Sequence, residues 1–157
     1  MGKSRSYEVI EYRNKIISSL ISSPKVLNLF NTSYEDSASL IYSKIFPYEN
    51  IPEVITKQER CICFDLRTTL DNFNPTYNDI TIWFFIFCHK DVTRTPEGLW
   101  YDCMVCALDE IFGGKNILGV GTTELKQNTP YVPNTEFKGR MLTFVVKDFT
   151  DGKKNGR

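Results

Sequence analysis

The chain has 157 residues, of which 41% are hydrophobic and 24% charged, and its 19 basic and 19 acidic side chains cancel. That length suits one domain with a core of its own. Zero net charge gives no global field to draw it to nucleic acid or an anionic membrane, and no run reaches the ~18 apolar residues of a spanning helix.

The N-terminal residues Met1 to Tyr7 are polar and no apolar leader core follows, so synthesis in the cytoplasm is expected. Val9, Ile10, Ile16, Ile17, Leu20 and Ile21 repeat at helical spacing, predicting a helix from Tyr7 to about Ser19. Ser23-Pro24 offers a cap followed by proline at the first helical position. A short second helix through Leu27 and Phe30 follows, closed by Asn31-Thr32-Ser33, and Ser37 to Ser43 has room for one more turn. Pro47 and Pro52 bracket an extended crossing segment that cannot be a central strand. From Arg60 to Leu70, Ile62, Phe64 and Leu66 alternate with Asp65 and Arg67, the pattern of a half-buried strand. Asp71 to Asn78 reads as a polar loop.

Ile80 to His89 is apolar on both faces. As a strand it places Ile80, Ile82, Phe84, Ile86 and Cys88 on one side and Trp83, Phe85 and Phe87 on the other. Helices of the same chain can cover one side. The other needs a second cover, either the chain's own N-terminal residues or another subunit, which makes Trp83, Phe85 and Phe87 the candidate subunit interface. Thr95-Pro96-Glu97 reads as a cap opening a helix that runs to Phe112 and stops at Gly113-Gly114. Its wet face carries Asp102 and Asp109, its apolar side Leu99, Cys103, Cys106 and Ala107. Strands near 117–126 and 140–149, joined by a long loop from Gln127 to Lys138, complete the chain. The expectation is an α+β fold: a mainly antiparallel four-stranded sheet, helices packed on one face, order α-α-β-β-α-β-β. It forms a single domain over 1–157, with 1–6 and 150–157 as mobile tails.

Catalytic and cofactor readings fail on the residues. The five cysteines read as buried thiols in a reducing compartment. Zinc at Cys103-Met104-Val105-Cys106 would need Cys61 or Cys63 and His89 to converge there. Mid-helix on an apolar side, the same pair is poorly placed for redox work. His89, the single histidine, has no nucleophile or elbow motif around it. Gly119-Val120-Gly121 lacks the third glycine and following helix of a phosphate loop. The reading is a non-enzymatic protein with no cofactor and no metal.

The amphipathic first helix, the string Leu40-Ile41-Tyr42-Ser43-Lys44-Ile45-Phe46-Pro47-Tyr48 before the first long strand, the apolar strand Ile80 to Cys88, the Gly-terminated helix and the closing Phe144-Val145-Val146-Lys147-Asp148-Phe149 together resemble phage tail-terminator (tail-completion) proteins, over roughly residues 7 to 150. The resemblance implies a ring, hexameric in that family, that caps the tail tube, stops its polymerisation and joins the tail to the head-side neck. Implied partners are other copies of the chain, the tube protein, a neck or connector protein, the sheath where the tail contracts, and DNA passing through the lumen without sequence readout. No membrane is involved, and the location is the virion's tail–neck junction after assembly in the bacterial host cytoplasm. Within that picture Tyr131, Pro133 and Phe137 are the candidate ring-to-ring contacts. The alternatives are another neck component, an adaptor or stopper, or a small cysteine-dependent metal or redox protein.

Overall fold

The computed structural model describes residues 7–51, 57–71 and 74–147; the expected tails lie outside these. Helix α1 spans Tyr7–Ile21 and buries Tyr12, Ile16 and Leu20, one residue per turn along a single stripe. Helix α2 spans Pro24–Leu29, with the Ser23 hydroxyl accepting the Val26 N–H at 3.3 Å as its N-cap. Asn31, at φ 53°, turns the chain out of it into a 3-10 segment, Tyr34–Leu40.

The sheet departs from the expected four antiparallel strands. Among the described residues it has five, β1 (Ile45–Phe46), β2 (Arg60–Asp71), β3 (Asn74–His89), β6 (Thr123–Asn134) and β7 (Phe137–Lys147), in the order β1-β2-β3-β7-β6. The addition is β1, Ile45–Phe46, which pairs in parallel with β2, Arg60–Asp71, through Ile45 opposite Ile62 and Phe46 opposite Cys63. Pro47 limits this strand to two residues and confines it to the sheet edge, where a missing N–H costs no ladder bond. β3 spans Asn74–His89, so most of the expected polar loop is strand. Leu70 lies opposite Asn78 and Asp71 opposite Asn74; Pro75, Thr76 and Tyr77 fall in the register shift between them, where proline is tolerated.

The expected helix start at Thr95 is also corrected. Arg94–Thr95 (β4) and Gly98–Leu99 (β5) form a small hairpin around Pro96-Glu97. The Thr95 hydroxyl donates to the Gly98 carbonyl at 2.7 Å, and Gly98 takes φ 142°, a conformation a helix cannot include. Helix α3 therefore begins at Trp100 and ends at Phe112, and Gly114 supplies the left-handed turn after it.

β6 spans Thr123–Asn134 and β7 Phe137–Lys147, antiparallel to each other. The segment read as a long loop, Gln127 to Lys138, is thus strand, turn and strand. Pro130 and Pro133 are accommodated because β6 is the sheet edge and is bulged at 125–127 and 131–134. All three helices pack on one side of the sheet. There Ile62 and Phe64 of β2, alternate residues Ile80 to Cys88 of β3, and Leu142, Phe144 and Val146 of β7 meet Ile16, Leu20, Met104, Leu108 and Phe112. Phe84 sits at the centre, its ring 5.2–5.9 Å from those of Phe112, Phe144 and Phe64.

Candidate interaction face

Paired residues on neighbouring strands share a face, so the register defines the side of the sheet away from the helices. Cys61, Phe87, Gly139 and Tyr131 form one row across it; Cys63, Phe85, Met141 and Thr129 form the next; then come Asp65, Trp83, Thr143 and Gln127. Arg67, Thr81, Val145 and Glu124 make the fourth.

The first two rows are partly covered by the chain itself. Cys61, Cys63, Phe87 and Phe137 are buried together, with Phe46, Phe85 and Tyr131 packed against them. Phe137 meets Phe87 edge-on at 5.9 Å, and Tyr131 leans over Phe85 at 5.1 Å and Phe87 at 6.0 Å. The Tyr131 hydroxyl donates to the Glu49 carboxylate at 3.2 Å, and the Cys63 thiol to the Asn50 carbonyl at 3.5 Å. Burial pushes the Cys61 and Cys63 thiols up to about 12, and burial with the Glu49 carboxylate pushes the Tyr131 phenol well above its usual range. These are inert packing groups.

The remaining rows have no cover from any described helix. In them Trp83 and Val145 are half-buried, as are Thr81 and Thr143 between them, and in the second row Phe85 and Met141 also keep part of their surface open. The Arg67 guanidinium lies 5.5 Å from the centre of the Trp83 ring. Asp65 stands at the β1 side, ion-paired to Arg13 of α1 at 2.6 Å; Arg13 also donates to the Pro47 carbonyl. The result is an apolar, Thr-rich centre with a charged rim of Asp65, Arg67 and Glu124, the anatomy of a protein–protein contact surface.

Of the residues singled out from sequence, Phe87 and Phe137 are thus covered within the chain by strand-borne residues of its own sheet, Phe46 of β1 among them, and not by its N-terminal helix. Trp83, Phe85, Tyr131 and Pro133 keep part of their surface open. Met141 and Val145 were missed; their alternation with Leu142, Phe144 and Val146 carried the signal.

The other candidates do not assemble into a reactive site. His89 is buried: its Nδ1 accepts the Asp91 N–H at 3.1 Å and its ring stands edge-on to Phe137 at 5.4 Å. Cys103 is half-buried and Cys106 exposed, against the expected apolar placement. The buried stripe of α3 runs through Trp100, Met104, Leu108 and Phe112, and at about 100° per residue Cys106 falls about 200° from Met104. Cys61 and Cys63 lie across the sheet from it. Among the described residues no group of three His, Cys, Asp or Glu is placed to hold a metal ion, and no helix is long and apolar enough to cross a membrane. Gly119 takes φ 84° in a loop held by Lys15, whose Nζ donates to the Leu118 carbonyl at 2.9 Å.

The model of the YomW family matches residues 14–146, from the middle of α1 almost to the end of β7. The chain belongs to the YomW family. The family is phage-associated, and the match spans the whole sheet, so the uncovered face is part of this YomW-family domain and not of an appended segment. No curated protein matches the chain.

Proposed function

We propose that this phage-associated protein is a non-enzymatic assembly subunit that acts as a tail terminator. Copies form a ring, hexameric in this reading, that caps the tail tube, stops its growth and presents its other side to the head-side neck. The observation that carries the proposal is the open part of the sheet face: Trp83, Phe85, Met141 and Val145, only partly buried in the isolated chain, within a rim of charge. A cyclic ring needs heterologous contacts, each subunit offering two different patches, and a Trp- and Phe-bearing centre is what subunit cores use for affinity. DNA would cross the lumen without sequence readout, consistent with zero net charge.

Electron microscopy and sedimentation of the purified protein, alone and with tube protein, test the reading. Rings that cap tubes are expected, with tubes of uncontrolled length when the protein is omitted. Phe85→Asp should retain the circular dichroism spectrum and lose the rings. A protein that stays monomeric with tube protein present would refute it.

A further inference from the structure

A trough runs along α2 on the helix side of the molecule, away from the open sheet face. It consists of two adjoining hollows of about 280 and 270 Å³ that share Leu29, Asn31 and Arg60. Leu29, Phe30, Val92 and Trp100 give it an apolar lining, and Lys44, Arg60 and Arg94 converge on it.

Arg60 is held in place by neutral partners. Its Nε donates to the Val92 carbonyl at 3.0 Å, its Nη2 reaches the Arg94 carbonyl at 3.5 Å, and its guanidinium stacks 5.6 Å from the centre of the Trp100 ring. Trp100 is fixed in turn: its indole N–H donates to the Leu29 carbonyl at 2.8 Å and Phe30 meets it edge-on at 5.5 Å. Among the described residues no carboxylate forms an ion pair with Arg60, Arg94 or Lys44. A pre-oriented guanidinium with donors to spare, backed by two further cations and, although Glu97 lines the same hollow, ion-paired to no described carboxylate, is a prepared anion site.

We propose that this trough binds a short peptide segment of a partner protein, a carboxylate side chain on Arg60 and a neighbouring apolar side chain over Leu29 and Phe30. The distribution of charge favours a peptide over a nucleic-acid strand. A phosphate backbone needs a stripe of cations to follow, whereas Glu97 already lines the hollow beside Arg94 and, with Asp102, continues along the wall beyond Leu29, where the two repel a continuing polyanion. A single carboxylate followed by apolar groups meets no such obstacle. The site does not depend on the ring, and it lies on the side of the sheet opposite Trp83.

The test is a titration of isotope-labelled protein with the peptide acetyl-Asp-Leu-Glu-Leu-amide, its Asn/Gln counterpart and a single-stranded oligothymidylate. The Trp100 indole N–H and Arg60 Nε–H resonances report. The acidic peptide should shift both signals, and the amide counterpart should bind at least about tenfold more weakly. Arg60→Gln should abolish the effect. Because Arg60 also ties down Val92 and Arg94, the double variant Lys44→Gln/Arg94→Gln, which removes no described side-chain hydrogen bond, must also weaken binding by about tenfold. Equal binding of acidic and amide peptides, unchanged binding by the double variant, or preference for the oligothymidylate would each overturn the proposal.

Discussion

The division of the helix-free face into a covered and an open part makes opposite demands on two neighbouring aromatic residues. Phe87 is fully buried by Phe137, Tyr131 and the Cys61–Cys63 stretch of β2. Phe87→Ala would leave a ring-sized void among side chains held by strands on both sides, a change that costs about 3–5 kcal/mol. Trp83, two rows along, is only partly buried. Trp83→Thr keeps a good strand former and loses the Arg67 stacking, worth about 0.5–1 kcal/mol at an exposed site, with part of one apolar surface. Its total cost to the single chain should be near 1 kcal/mol. In urea, with slopes of about 1–3 kcal/mol per molar, Phe87→Ala should lower the midpoint by more than about 1 M and Trp83→Thr by a few tenths. Sedimentation equilibrium should reverse the order, with Trp83→Thr weakening self-association by about 2 kcal/mol, roughly thirtyfold. If Trp83→Thr unfolds the chain as readily as Phe87→Ala, the whole face belongs to the monomer's core and the argument for a partner there fails.

Stability should also fall in alkali. Burial raises the Cys61, Cys63 and Cys88 thiols from 9.0 to about 12. Below pH 9 both states keep these protons, whereas between about 9 and 12 only the folded state does, so stability is lost as pH rises, by up to about 1.4 kcal/mol per pH unit per thiol. Urea midpoints measured from about pH 8 to pH 11 should drop steeply and Cys63→Ala should flatten the slope; a flat profile in the parent protein contradicts the burial. Gly139 lies opposite Phe87, and a Cβ there would sit 1.7 Å from the Ile86 carbonyl oxygen of β3. Gly139→Ala should therefore force the β3–β7 ladder apart and cost at least about 2–3 kcal/mol, read as a large drop in melting temperature; parent-like melting would show that the strands do not approach as described.

What the sequence discloses here is local periodicity. The stripe Tyr12, Ile16, Leu20, the Ser23-Pro24 cap, the alternation of Ile62, Phe64 and Leu66, and the two apolar faces of β3 are each written within a dozen residues. What it hides is pairing between distant segments. Ile45–Phe46 is too short to show a period, and only its neighbour β2 makes it a strand. Pro130 and Pro133 signal a loop unless β6 is known to be an edge. Thr95-Pro96-Glu97 has the composition of both a helix cap and a tight turn, and Gly98 decides for the turn. The cover over Phe87 comes from Tyr131 and Phe137, some 44 and 50 positions away by residue number, so reading the strand alone exposed a residue that the fold hides.

The two sheet edges bear on how copies would meet. The Ile62 N–H donates outward to the Lys44 carbonyl at 2.8 Å, so by alternation the Leu66 N–H also points outward, past the end of β1. It is taken by the Asp65 carboxylate at 2.8 Å, which Arg13 holds from α1. The opposite edge, β6, carries Pro130 and Pro133 and is bulged twice. Both are devices that discourage one sheet from extending into another. Association by strand addition is therefore obstructed at each side, and contact through the side chains of the open face is the route the fold leaves. Hydrogen exchange on assembled rings separates the two modes. Contact through the face should protect the Trp83 indole N–H from exchange while the outward amides of β2 and β6 exchange as in the single chain. New protection of the Thr68 or Asn128 amides would mean that the edges pair after all and that the open face has another use.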